Sequence, residues 1–205
     1  MDLNIYTKEL SKELIPKIVK RFKDLKMDVE FHPEFKFDLK KDDGFLPIKL
    51  KVENGNSKQY DKIEFDILTG FEIYFNDYDY EEELAKNRKY EKLSEKKSFF
   101  SKLFGKREIE KSENNYLENE EIDQILKKCN KDIFITFKSQ NKSELRVSLL
   151  FATILAELTN GIILDPQNGR YLNGKEALKT FALEIDEYEN SFTEKEFTVN
   201  KFENW

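Results

Sequence analysis

Cysteine and histidine each occur once in the 205 residues, as Cys129 and His32. A single cysteine excludes an internal disulfide and fits a reducing compartment, so a cytoplasmic location is expected. A single histidine leaves no partner for an imidazole acid–base pair or a multi-histidine metal site. Glycine is scarce, at seven residues. Neither GxGxxG nor GxxxxGK[ST] occurs, so no phosphate-cradling loop and no cofactor is expected. Long apolar runs are missing too. The longest, Leu149–Leu158, is interrupted by Thr153 and Glu157 and is too short to cross a bilayer. The opening residues MDLNIYTKELSKELIPK show no signal-peptide pattern.

Charge and aromatic side chains are plentiful. Charged residues make up 37%, and there are 18 phenylalanines, so aromatic rings are expected to supply much of the buried area. The net charge of −6 is unevenly distributed. Residues 86–107 hold nine Lys/Arg against two Glu, a local +7, which leaves −13 for the rest of the chain. An acidic body argues against nucleic acid as the main partner and favours a basic protein.

Hydrophobic spacing predicts one α+β domain over 1–205. Leu10, Leu14, Ile18, Phe22 and Leu25 recur at helical spacing and predict a helix over 7–26, with Thr7 or Ser11 as its cap and Pro16 in its first turn or at a kink. Three alternating stretches follow, at 27–39, 46–52 and 62–75. They predict an antiparallel meander packed on by that helix, with Pro33 marking an edge strand or a bulge and Gly70 either a bulge or a break. Glu53-Asn54-Gly55-Asn56 is a strong hairpin-turn signal. Residues 118–129 predict a short helix, 132–138 a buried strand, 143–159 a helix presenting Leu149, Ile154 and Leu158, and 161–164 a strand. Such a strand–helix–strand unit resembles a βαβ crossover. A last helix is expected over 175–188 and a polar, frayed tail after it. Residues 84–117 have few aliphatics, which predicts a mobile or protruding insert.

Two patches stand out as candidate binding residues. Tyr74, Asp77, Tyr78, Asp79 and Tyr80 combine rigid amphipathic rings with carboxylates, a composition suited to a basic protein partner. Phe99, Phe100, Leu103 and Phe104 gather on one side of a basic helix, the composition of a membrane-surface or scaffold-docking anchor. The alternative for each patch is ordinary packing of its rings on the domain. Catalytic candidates are thin. Glu64 and Asp66 would share a face of one strand, as an unrecognised carboxylate hydrolase would require. Solvated carboxylates are the commoner outcome. His32 and Cys129 are expected to be structural, and no catalytic residue, metal ligand or cofactor is assigned.

The stretch from Leu155 to Gly169, LAELTNGIILDPQNG, resembles a pattern in small bacterial proteins in which a helix ending LAxxTxG leads into a short strand and a D-P-Q-x-G turn. Some of these are similar to immunity proteins of polymorphic-toxin and contact-dependent inhibition systems. The likeness covers about 134–171. It implies a bacterial source and a non-enzymatic inhibitor of a protein toxin, and it carries over no functional residues. Peripheral membrane or scaffold attachment through residues 96–107 is the alternative.

Overall fold

The computed structural model describes residues 1–38, 41–53, 58–85, 120–138, 142–193 and 196–205. Eight strands form one antiparallel sheet: β1 (Asp2–Thr7), β2 (Met27–Phe31), β3 (Gly44–Val52), β4 (Ile67–Asp77), β5 (Lys131–Thr136), β6 (Ile162–Asp165), β7 (Arg170–Asn173) and β8 (Asn200–Lys201). Their order is β2-β3-β4-β5-β1-β6-β7, with β8 pairing the start of β4. Helices α1 (Leu14–Asp24), α3 (Glu144–Thr159) and α4 (Gly174–Asn190) pack on one face, and α2 (Glu120–Leu126) lies on the other.

The expected meander is β2-β3-β4, and β2 is an edge strand that ends at Phe31, before Pro33. Alternation is strict where it matters. Leu46, Ile48, Leu50 and Val52 of β3 and Thr69, Phe71, Ile73 and Phe75 of β4 all turn inward. Gly70 marks neither a bulge nor a break, since the register runs through it from Leu50↔Ile67 to Gly44↔Ile73. Its φ of 155° and the carbonyl of Leu46, 2.3 Å from where a Cβ would stand, leave room only for glycine.

Several boundaries differ from the sequence reading. The predicted first helix starts late because residues 2–7 are the strand β1. Leu3 and Ile5 alternate there with Asn4, over a span too short to register as a period. Thr7 is therefore in a strand, and Glu13 rather than Thr7 or Ser11 is the N-cap, with no side-chain cap bond. Pro16 does lie in the first turn. The alternation of 27–39 continues past the end of β2 at Phe31, so Phe35 and Phe37 are buried from a loop in which Phe37 has a φ of 58°. The third strand begins at Ile67, not at residue 62. The hairpin signal at Asn54-Gly55 lies outside the described residues.

The predicted strand–helix–strand unit is β5-α3-β6. Its two strands are parallel but not adjacent, because β1 pairs antiparallel with both. Helix α3 runs between the sheet and helices α1 and α4, and every residue from Arg146 to Ala156 is buried. It is therefore not the one-faced helix that Leu149, Ile154 and Leu158 suggested, and Leu158 is only partly buried. Asn160 ends it in the left-handed conformation, at φ 50°. An Asn173–Glu176 capping box starts α4.

The tail is not frayed. Asn200 and Lys201 pair with β4, the Phe202 N–H donates to the Asp66 carbonyl at 2.7 Å, and Trp205 Nε1 donates to Glu30 at 3.2 Å. Its aromatic side chains, Phe202 and Trp205, hold it down: Phe202 lies beneath the Lys49 ammonium, and Trp205 packs edge-on against His32.

Candidate functional site

A sheet has two faces, and here the helices α1, α3 and α4 fill only one. The outward residues of β1, β3, β4 and β5 follow from the registers. Phe45 stands opposite Glu72, Glu72 opposite Thr136, and Thr136 opposite Asp2. One step along, Tyr74 stands opposite Phe134 and Phe134 opposite Asn4. Among the described residues, Phe45, Tyr74 and Phe134 belong to neither core cluster, and Phe45 is 61% exposed. Its ring lies over Gly70, covering bare backbone that a side chain would otherwise shield.

Elements at either end partly cover this face. Ile122, Ile125 and Leu126 of α2 meet Tyr6, Ile162, Leu164 and Tyr171 in a second apolar cluster over β1, β6 and β7. At the opposite corner, the tail lays Phe202 and Trp205 over Lys49 and Glu30 of β3 and β2. Between them lies a strip of aromatic rings set among Asp2, Glu72 and Asp132. The Tyr74 hydroxyl donates to Glu72 at 3.1 Å, which raises the pKa of the phenol. Tyr74 and Phe134 are paired with ring centroids 6.3 Å apart.

Asp132 is the most constrained carboxylate here. It is half-buried and accepts both of its bonds from Asn4 Nδ2, at 2.9 and 3.1 Å. Burial pushes its pKa above the ordinary value, Asn4 pulls it back in part, and the charge of Glu83 adds to the rise. Because the folded-state pKa is raised, the stabilisation associated with this group is fully present below the unfolded pKa and is lost as pH rises through the folded one. Asp132→Asn is therefore expected to raise the melting temperature at pH 7, with the gain shrinking as pH falls toward 4. A scan of Tm against pH for the two proteins checks it; a variant less stable than the parent at pH 7 would refute it.

The five acidic-aromatic positions do not form one surface. Tyr74 faces the open strip. Asp77 is exposed at the end of β4, where Lys131 donates to it at 2.5 Å and lowers its pKa. Tyr78 turns inward onto Tyr6, with centroids 4.6 Å apart, and burial raises the pKa of its phenol. Asp79 is engaged in capping, accepting from the N–H groups of Glu81 and Glu82 at the start of the helical residues 80–85. Tyr80 packs on the second cluster beneath Lys127. Much of this patch is thus the acidic segment held by its tyrosines. Phe99, Phe100, Leu103 and Phe104, and residues 86–117 of the expected insert, lie outside the described residues.

The other candidates are placed as follows. Glu64 and Asp66 precede β4 and share no strand face, and Asp66 is paired with Lys49 at 3.4 Å. Among the described residues, no three His, Cys, Asp or Glu side chains converge as metal ligands, and no helix is long and apolar enough to cross a membrane. Cys129 is buried, with its thiol pushed up to about 11 by burial. His32 Nδ1 accepts from the Glu34 N–H at 3.4 Å.

The D-P-Q-x-G turn has a local job. Asp165, fully buried, accepts from the N–H groups of Gln167 and Asn168 and from Arg170, which also contacts Glu184. In the orientation that satisfies both of its polar atoms, the Gln167 amide pairs with the backbone N–H and C=O of Asp2, each at 3.0 Å. The quoted residues therefore organise the β6–β7 hairpin and extend the support of β1. Comparison with known proteins returns no match: no family model, no curated protein and no solved structure is similar to this chain.

The open strip was missed from the sequence because Phe45 and Phe134 lie in separate strands that only the register brings together. The available signal was the aromatic residues on the outward phase of β3, β4 and β5: Phe45, Tyr74 and Phe134.

Proposed function

We propose that this chain is a non-enzymatic protein-binding domain of the immunity type, which neutralises a basic bacterial toxin by covering it. The observation that carries the reading is the strip of sheet face that the described residues leave uncovered, where exposed and half-buried rings stand among carboxylates. Exposed aromatic rings that belong to neither core cluster are characteristic of interfaces, and carboxylates among them speed association with a cationic partner. The charge of −13 outside residues 86–107 acts in the same direction over longer range.

The test is co-expression. The product of a neighbouring reading frame should arrest growth when made alone and should not when this chain is present. A purified complex of the two should weaken as salt is raised from low to physiological concentration, since the attraction is screened. A neighbouring product that is harmless, or a toxin whose effect this chain leaves unchanged, removes the immunity reading.

A further inference from the structure

The open strip has a size as well as a charge. The row Phe45, Glu72, Thr136 and Asp2 crosses four strands, β3, β4, β5 and β1, away from Tyr6 and Lys49, where α2 and the tail cover β1 and β3. At the spacing of neighbouring strands they span about 15 Å. An α-helix with its side chains is about 10–12 Å across, so the strip accommodates one helix laid on the sheet. The inner face of the same sheet is covered in this way by α3.

The chemistry of the strip restricts which helix fits. Phe45, Tyr74 and Phe134 form its apolar floor, and Glu72, Asp2 and Asp132 are the charges around them. Lys49, which shares this face of β3, is already paired with Glu30 and Asp66. A helix lying here must bring apolar side chains to the rings and cations to the carboxylates. An acidic helix, or the acidic surface of a second copy of this chain, would place like charges together.

Resting on the reading above, we infer that the strip between α2 and the C-terminal tail is the docking site for one basic amphipathic helix of the partner. Phe45 is its apolar anchor, and Glu72 and Asp132 accept its lysine or arginine side chains.

The experiment uses the full chain and two synthetic 18-residue amphipathic helices that share their apolar positions and carry either lysine or glutamate on the polar face. Binding is followed by fluorescence anisotropy of the labelled peptides at low and physiological salt. The lysine peptide is expected to bind at least about tenfold more tightly than the glutamate peptide, a difference of about 1.4 kcal/mol. Glu72→Lys, Phe45→Ala and Asp132→Asn are each expected to weaken it severalfold. The last variant separates binding from folding, because it is expected to stabilise the fold while losing a contact. Equal binding of the two peptides, or three variants that bind like the parent, overturns the inference. So does a carbodiimide cross-link from Glu72 to a lysine of residues 86–107 in the isolated chain, which would assign the strip to the chain itself. A dimer that Glu72→Lys dissolves would assign it to a second copy, with the same consequence. If Glu72→Lys loses the lysine peptide but still protects against the toxin, the immunity reading stands and the contact lies elsewhere, which also overturns this inference. If the peptides behave as expected but no toxin is neutralised, the docking strip stands and the immunity reading falls.

Discussion

Phe151→Ala is expected to lower the stability of the fold by about 3–5 kcal/mol, the usual effect of removing a fully buried phenylalanine. The ring sits at the centre of α3 and touches three other rings: Phe71 at 5.0 Å, Phe31 at 5.9 Å and Phe37 at 6.4 Å between centroids. Phe31 and Phe71 lie on different strands, and Phe37 comes from the loop after β2. The cavity would therefore open where strand, loop and helix meet. Urea unfolding monitored by circular dichroism checks the value. A loss below about 1 kcal/mol would mean that the site collapses and that α3 is less tightly held than its burial implies.

Glu189→Ala is expected to cost a similar amount, about 3–5 kcal/mol, for an electrostatic reason. Arg146 and Glu189 are 6% and 2% exposed and form a two-pronged pair, Nε to Oε1 at 2.6 Å and Nη2 to Oε2 at 2.7 Å. Removing the carboxylate leaves a guanidinium among Met27 and the ring of Tyr60 with its charge uncompensated. Replacing both partners, as in Arg146→Met with Glu189→Leu, removes the stranded charge and is expected to restore most of the lost stability. Chemical denaturation of the single and double variants forms the cycle that checks it. A double variant as unstable as Glu189→Ala would show that the pair organises packing around it and does more than neutralise itself.

These two sites show what the pattern of residues could and could not reveal. The inward phase of β3 and β4 was legible because a two-residue period has one outcome when one face is buried. The end of α3 was legible because Asn160-Gly161 is a chemical stop signal. Arg146 and Glu189 were not legible as a pair. Each looks like an ordinary charge on a helix, and only the packing of α3 against α4 brings them together across 43 residues. The strand at residues 2–7 is absent from the sequence reading for a related reason. A strand that pairs only with segments far along the chain leaves little local signature, and its two buried aliphatic residues, Leu3 and Ile5, fit many patterns.

The candidate site was half legible. Tyr74 was identified for its composition, and it does face the open strip. Tyr78, Asp79 and Tyr80 were grouped with it by adjacency, yet the chain turns after β4 and sends them to the second cluster and to a helix cap. Phe45 and Phe134 went unnoticed because their meaning depends on which strand lies beside which.

The position of β1 has a consequence for how the molecule assembles. On the ribosome this strand is made before both of its neighbours, so Ile5 must wait for Ile133 before one side is paired and for Ile163 before the other is. The β2-β3-β4 meander closes through near neighbours and needs no such delay. Contacts of long sequence separation carry a loop-closure penalty before they return any stabilisation. The meander is thus expected to form early, with β1 unpaired until β5 has emerged and paired on one side only until residue 165 has. That interval is when the nascent chain is most exposed to aggregation and to chaperones.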